Sequence, residues 1–149
     1  MNDRVVEDRR GDLSLSTDRA RIQLSELLAM LLASHWGGAM TRSVLERAIE
    51  NSVCVGVYDA NRQLGFARAV TDLATYAYLT DVIVAGNSRG RGIGSWMVEA
   101  LLAHPDLQGL RRIALLTRDA PWLYAKFGFT TKMPASTYME LRPGPSQRP

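Results

Sequence analysis

The chain has 149 residues, of which 46% are hydrophobic and 22% are charged. These fractions are typical of an ordinary globular domain, and the length suffices for one hydrophobic core rather than two. The longest strongly apolar run, LLAMLLA at 27–33, is too short to cross a bilayer, and the single cysteine, Cys54, excludes an internal disulfide.

The formal net charge of +3 at pH 7 is spread along the chain, without a basic block that alternates with aromatic residues. Such scatter does not favour a nucleic-acid partner. Residues 1–12 lack the apolar region of a signal peptide, so we expect a cytoplasmic protein with no membrane partner. We predict mobile tails at residues 1–12 and 143–149, on either side of a single domain over 13–142.

The first half of the chain predicts two helices and a β-hairpin. Residues 24–34, rich in Leu and Ala, indicate the first helix. Thr41 can cap a second helix. Its apolar residues recur at helical spacing: Val44, Leu45, Ala48 and Ile49. The apolar runs 52–58 and 63–70 flank the turn sequence DANR and predict the hairpin.

The second half alternates strands and helices. Residues 75–85, β-branched and aromatic, predict a strand, and the helix that follows cannot extend far beyond Pro105. Further strands are predicted at 111–117 and 136–141, with a short helix at 120–127 between them. This order of elements predicts a mixed α/β sheet.

A glycine-rich segment, RGRGIG at residues 89–94, joins the predicted strand to the predicted helix. The first turn of a helix has N–H groups without intrahelical partners and carries a partial positive charge. Glycines let an anion approach the backbone closely, and Arg89 and Arg91 add positive charge. A phosphate or pyrophosphate group is therefore the expected ligand.

Three phosphate-binding patterns compete for this segment. A nucleoside triphosphate loop requires a lysine after its last glycine, whereas Ser95 follows Gly94 directly. A dinucleotide fingerprint requires G-x-G-x-x-G, whereas the chain has G-x-G-x-G. The third pattern, R-x-x-G-x-G, fits Arg89, Gly92 and Gly94. A glycine-rich turn that only packs against the sheet is the remaining alternative.

At these residues the chain resembles the GNAT superfamily of N-acetyltransferases. Residues 89–94 match its acyl-CoA signature, Q/R-x-x-G-x-G/A, and follow the apolar residues Val82 and Val84. Residues 117–129, TRDAPWLYAKFGF, resemble the family segment A-x-x-L-Y-x-K-x-G-F. Two motifs in the right order are far more specific than either one alone.

The resemblance implies a GNAT-like mixed, splayed central β-sheet flanked by helices, with acetyl-CoA as cosubstrate. Its pantetheine arm would lie in the gap of the sheet and its pyrophosphate on the glycine loop. The implied cofactor-binding residues are Val82, Ile83, Val84, Arg89, Gly90, Arg91, Gly92, Ile93, Gly94, Ser95, Thr117, Asp119, Tyr124 and Lys126. Thr117 occupies a position where the family often has an asparagine that contacts the pantetheine. This contact therefore stays open for Thr117, and the alternative is that Asp119 orients the loop.

The implied reaction is transfer of an acetyl group from acetyl-CoA to the amine of a small molecule. Tyr124 occupies the position of the family's general acid, which donates to the leaving thiolate. The group that takes the proton from the amine stays open, with Asp81, His35 and a water relay as candidates. For Asp81 the alternative is a purely structural role. Strand alternation predicts that Asp81 faces away from Val82 and Val84.

Four residues are predicted to shape the acceptor pocket: His35, Trp36, Tyr76 and Tyr78. The same alternation places Tyr78 on the face of Val82 and Val84. No Cys/His cluster has metal-ligand spacing, so we expect no metal. A module of the same fold that binds acetyl-CoA or a partner with little catalysis is the alternative function. The oligomeric state is open, and homodimers are common in the family.

Overall fold

A computed structural model of the protein describes residues 4–34, 39–131 and 138–143. The chain divides into two compact units, Met1–Asp119 and Ala120–Pro149. The strands are β1 (Glu7–Arg10), β2 (Leu13–Ser16), β3 (Ser52–Asp59), β4 (Arg62–Thr71), β5 (Tyr76–Val84) and β6 (Arg112–Leu115). The helices are α1 (Leu24–Ala33), α2 (Arg42–Glu50), α3 (Ile93–Ala103) and α4 (Pro121–Ala125).

The two helices and the hairpin predicted for the first half are confirmed. Helix α2 begins after Thr41, whose hydroxyl oxygen accepts a hydrogen bond of 3.3 Å from the N–H of Val44. This contact satisfies one of the N–H groups that the first helical turn leaves without a backbone partner. Strands β3 and β4 pair antiparallel down to Asp59 opposite Arg62, which closes the hairpin.

Two predictions at the ends of the chain are wrong for the residues that the structure describes. Residues 7–10, assigned to a tail, form β1 and pair antiparallel with β2. Strand β1 is an exposed edge strand with the sequence EDRR, so it lacks the apolar alternation by which strands are recognised. Of the strand predicted at 136–141, residues 138–141 are described and none of them lies in a strand.

The six strands form one sheet in the order β1-β2-β3-β4-β5-β6. All neighbouring pairs are antiparallel except β5 and β6, which are parallel and connected through α3. Strand β6 pairs with β5 only from Tyr76 opposite Arg112 to Leu79 opposite Leu115. Beyond Leu79, no described strand pairs with β5 on this side. This is the splayed, mixed sheet that the sequence predicts.

Strand β5 contains a β-bulge at residue 81. Arg68 of β4 lies opposite Thr80, whereas Phe66 lies opposite Ile83, so β5 has one extra residue between these pairs. Asp81 has a φ of 55°. This left-handed conformation is costly for most residues, and Asp tolerates it better than the majority. The extra residue interrupts the alternation of side chains along β5.

Helices cover both faces of the sheet. On one face, α1 and α2 pack on a buried cluster of Leu27, Leu31, Leu45, Ile49, Cys54, Phe66 and Ile83. Each fully buried leucine of this kind contributes about 1.5–3 kcal/mol to folding. On the opposite face, α3 lies close to Gly65, where a Cβ atom would meet Ile93 at 3.0 Å and Met97 at 3.1 Å. Glycine at this position therefore permits the helix to approach β4.

Tyr58 of β3 is a buried tyrosine whose hydroxyl group has no hydrogen-bond partner among the described residues. Only 1% of Tyr58 is exposed, and the guanidinium of Arg21 lies 4.2 Å from the centre of its ring. Burial raises the pKa of Tyr58 to about 12. The ring contributes apolar packing, whereas the hydroxyl group is desolvated without compensation.

We expect the substitution Tyr58→Phe to leave the free energy of unfolding at neutral pH unchanged or to raise it by about 1 kcal/mol. The folded pKa of about 12 lies above the usual value of about 10, so the hydroxyl group ionises more readily in the unfolded chain and the fold loses stability as the pH rises from about 10 towards 12. Over the same rise in pH, the Tyr58→Phe variant should therefore lose less stability than the wild type.

Urea unfolding at neutral and alkaline pH measures both effects. The substitution Tyr76→Phe, at a position that is 40% exposed, is the matched control. A clear loss of stability for Tyr58→Phe at neutral pH would show that its hydroxyl group is hydrogen-bonded in solution.

Candidate functional site

The loop between β5 and α3 has an open backbone at its glycines. Gly90 and Gly92 have φ values of 78° and 75°, and no atom lies within 4 Å of the position of a Cβ at either residue. Their conformation, rather than crowding, therefore requires glycine. Gly92 is the N-cap residue of α3 and has no side chain with which to cap it. The N–H groups of Ile93 and Gly94 are thus at the positive end of the helix, where an anion can bind.

Two exposed arginines, Arg89 and Arg91, belong to this loop. The start of the loop is fixed by a hydrogen bond of 2.8 Å from the N–H of Ser88 to the carbonyl of Ala85. A second bond of 3.2 Å joins Arg62 to the side chain of Asn87. A fixed loop with two cations and open N–H groups can bind a diphosphate through charge-assisted hydrogen bonds.

On the side away from β4, the C-terminal half of β5 pairs with none of the described strands. Val82 and Val84 are partly buried, and Ile83 is buried opposite Phe66. On the β4 side the strand is paired, whereas the pairing with β6 has ended at Leu79. Main-chain groups on such an edge can hold an extended ligand in the manner of an added strand.

Asp81 forms a buried ion pair with Arg68. The Arg68 Nε lies 2.6 Å from Asp81 Oδ2, and the two side chains are 14% and 9% exposed. The same guanidinium donates a hydrogen bond of 3.1 Å to Ser52 Oγ. This pair gives Asp81 the partner that its structural alternative requires.

The bulge also changes which face of β5 carries Tyr78. Tyr78 lies opposite Val70, two residues from Arg68 on β4, so Tyr78 and the Arg68–Asp81 pair share one face. Val84 lies opposite Gly65 and faces the other way. The prediction that Tyr78 shares the face of Val84 is therefore wrong, because it assumed unbroken alternation.

The residues predicted to bind the acceptor have different positions. Tyr76 is 40% exposed and Tyr78 is partly buried, both on β5. His35 and Trp36 lie outside the described residues. Nearby, Asp72 accepts hydrogen bonds from three backbone N–H groups of its own turn, and hydrogen bonding holds the pKa of its carboxyl group well below the usual range. Asp72 therefore closes the β4–β5 turn and stays ionised.

The second compact unit contains Tyr124, on the short helix α4. Tyr124 is 9% exposed, and its ring packs edge to face with Phe129 at a centroid distance of 6.0 Å. Burial raises the pKa of Tyr124 above its usual value, so the phenol is neutral near pH 7 and able to donate a proton. Lys126 in this unit and Thr117 and Asp119 in the first unit are exposed.

The described residues contain neither a metal-ligand cluster nor a membrane-spanning helix. Within residues 4–34, 39–131 and 138–143, no group of three or more His, Cys, Asp and Glu side chains could hold a metal ion. No helix in the same ranges is long and apolar enough to span a membrane.

An open mixed sheet, with a glycine-rich loop between a strand and a helix, defines an α/β fold. Residues 50–131 match the family model for the acetyltransferase (GNAT) domain. A Gibberella zeae protein, provisionally named an acetyltransferase, is 34% identical, and the match covers 78% of this chain and 78% of that protein. The chain therefore belongs to the GNAT acetyltransferase family.

Solved structures agree with this assignment. A Xanthomonas campestris pv. campestris protein, provisionally described as a GNAT acetyltransferase, is 40% identical and has a TM-score of 0.82, with 87% of this chain and 92% of that chain covered. A Clostridium acetobutylicum protein, described with acetyl-CoA, is 17% identical and has a TM-score of 0.64 over 87% of this chain and 96% of its own. At this lower identity the likeness concerns the fold alone.

Proposed function

We propose that the protein is an N-acetyltransferase that moves the acetyl group of acetyl-CoA to the amine of a small molecule. The glycine loop carries this proposal. Its open first-turn N–H groups and its exposed residues Arg89 and Arg91 fit the pyrophosphate of coenzyme A. We assign Ser95, Thr117, Asp119 and Lys126 to further contacts with the same molecule, as the family resemblance implies.

The edge of β5 that pairs with none of the described strands supports the binding of the pantetheine arm. We infer that main-chain groups of Val82, Ile83 and Val84 hold this arm as an added strand. When bound, acetyl-CoA supplies a thioester whose carbonyl carbon an amine can attack. A backbone N–H of these residues stabilises the negative charge that develops on the carbonyl oxygen.

The amine must lose a proton before it can attack. With a pKa of about 10.4, an alkyl ammonium ion is roughly 99.9% protonated at pH 7. Asp81 is already paired with Arg68, so we propose that water relays this proton. Tyr124, with its raised pKa, is assigned as the acid that donates to the leaving thiolate.

We assign the acceptor pocket to the β5 residues Tyr76 and Tyr78 together with His35 and Trp36. The lone cysteine suits a reducing compartment, so we place the reaction in the cytoplasm.

Calorimetry with acetyl-CoA, followed by a thiol assay with pooled amines, tests the proposed function. We expect heat of binding with acetyl-CoA and release of free coenzyme A with at least one amine. Binding without thiol release from any amine would favour the binding module instead. Absence of binding to the folded protein would overturn the assignment of the loop.

A further inference from the structure

We propose that Arg68 is a positioning residue for acetyl transfer. Its guanidinium fixes the bulge at Asp81 and thereby sets the backbone of residues 82–84, which receive the acyl group. This inference rests on the proposed function of that edge of β5.

The bulge lies where β5 has few other restraints. The last pair with β6 involves Leu79, two residues before Asp81. From Thr80 onward, β4 is the only described strand that pairs with β5. Asp81 also has a left-handed backbone, with a φ of 55°, which the surrounding structure must maintain. An unrestrained bulge at this point could relax or move along the strand, and the main-chain groups of residues 82–84 would turn with it.

The side chain of Arg68 supplies the missing restraint. Arg68 lies on β4 directly opposite Thr80, next to the extra residue of β5. Its Nε contacts Asp81 Oδ2 at 2.6 Å, and its Nη1 donates to Ser52 Oγ at 3.1 Å. One rigid guanidinium therefore links β3, β4 and β5. A lysine has a single nitrogen on a flexible stem and cannot reproduce this planar arrangement of donors.

Stability alone does not explain a buried ion pair at this position. Well-packed apolar residues often stabilise a fold as much as a buried pair does. The pair lies on the face that α1 and α2 cover, since Arg68 is opposite Cys54 of the buried cluster. A pair retained there draws Asp81 to this face and leaves Val84 on the other. Its effect is thus to select one register and one orientation of the acyl-binding backbone.

The substitution Arg68→Met tests the proposal against the matched control Arg21→Met. Arg21 also pairs with a carboxylate, Glu7 at 3.3 Å, but this partner lies on β1, which three strands separate from β5. For folded Arg68→Met we expect kcat to fall about tenfold, because misplacement of a stabilising N–H affects the transition state most. The Kd of acetyl-CoA should change much less, since the glycine loop is intact. Arg21→Met should keep the kcat of the wild type.

A double-mutant cycle distinguishes positioning from a role of Asp81 as base. If the pair acts as a unit, Asp81→Asn and Arg68→Met lower kcat by similar factors, and the double variant is no worse than either. If Asp81 is the base, Asp81→Asn alone removes the acidic limb of the pH–rate profile, and the proposal is wrong. If Arg68→Met fails to fold, Arg68→Lys tests the proposal instead. A kcat of Arg68→Lys equal to that of the wild type would contradict the proposal.

The failure of this proposal differs from failure of the proposed function. A wild type that neither binds acetyl-CoA nor releases thiol overturns the function itself. An active wild type together with a folded Arg68→Met variant of unchanged kcat overturns only the role of Arg68. Amide hydrogen exchange gives a second readout, because we expect faster exchange at Val82–Val84 in Arg68→Met and not in Arg21→Met.

Discussion

The substitution Gly92→Val is expected to weaken acetyl-CoA binding about 100-fold, which corresponds to about 2.7 kcal/mol. Gly92 has a φ of 75°, and a β-branched residue is strongly disfavoured in this region. The loop would therefore relax and displace the first turn of α3. Hydrogen bonds to a charged group are worth about 1.5–3 kcal/mol each, so the loss of one or two accounts for the expected effect.

Gly109→Val is the matched control for this prediction. Gly109 has a φ of 76°, and no atom lies within 4 Å of the position of its Cβ. Both variants introduce similar strain, of about 1–2 kcal/mol, but only one alters the proposed phosphate site. Calorimetry should give a Kd close to that of the wild type for Gly109→Val. If the two variants lost affinity equally, the effect would be due to general destabilisation. This result would contradict the assignment of the glycine loop as the phosphate site.

Local sequence signals were enough to predict where the helices begin, including the helix that follows the glycine loop. Thr41 before an amphipathic run predicted the start of α2, and the glycines before Ile93 predicted the start of α3. Caps and glycines act within one helical turn, so their effect can be recognised from neighbouring residues. The family motifs extended this interpretation to the whole strand–loop–helix unit, and the family model over residues 50–131 confirms membership of the family.

Features that depend on pairing between distant residues could not be predicted in the same way. The bulge at Asp81 becomes visible only when β4 is placed beside β5, because its evidence is a change of register. Counting in steps of two along β5 therefore assigned Tyr78 to the wrong face. Strand β1 was missed for a related reason, since its charged residues are stabilised by pairing with β2 rather than by burial.

Arg68, which we propose as a positioning residue, is a residue that sequence analysis missed. A signal was present, because a charged residue within the otherwise apolar run GFARAV needs a partner if the strand is buried. The partner lies 13 residues further along the chain, and only the fold identifies it. An unexplained charge in a predicted core strand is therefore a reason to look for a paired residue on the neighbouring strand.

The substitution Tyr124→Phe should lower kcat about 100-fold or more while the Kd of acetyl-CoA stays within about twofold. Proton transfer from a phenol of ordinary pKa, about 10, to a thiolate with a pKa of about 8.5 is uphill by roughly 2 kcal/mol, and the raised pKa of Tyr124 makes the transfer still less favourable. We therefore expect Tyr124 to act largely through a charge-assisted hydrogen bond to the departing sulfur. Burial keeps the phenol protonated by raising its pKa, so this donor is present throughout the neutral range.

The pH–rate profile and a second buried tyrosine make this prediction specific. The acid must be protonated, so the wild-type rate should fall once the pH exceeds the raised pKa of Tyr124, and Tyr124→Phe should lack this alkaline limb. Tyr58→Phe also removes a hydroxyl group from a buried tyrosine whose pKa is raised, and it should keep the kcat of the wild type. A Tyr124→Phe variant with full kcat and an unchanged profile would exclude this phenol as the acid and leave water as the proton donor.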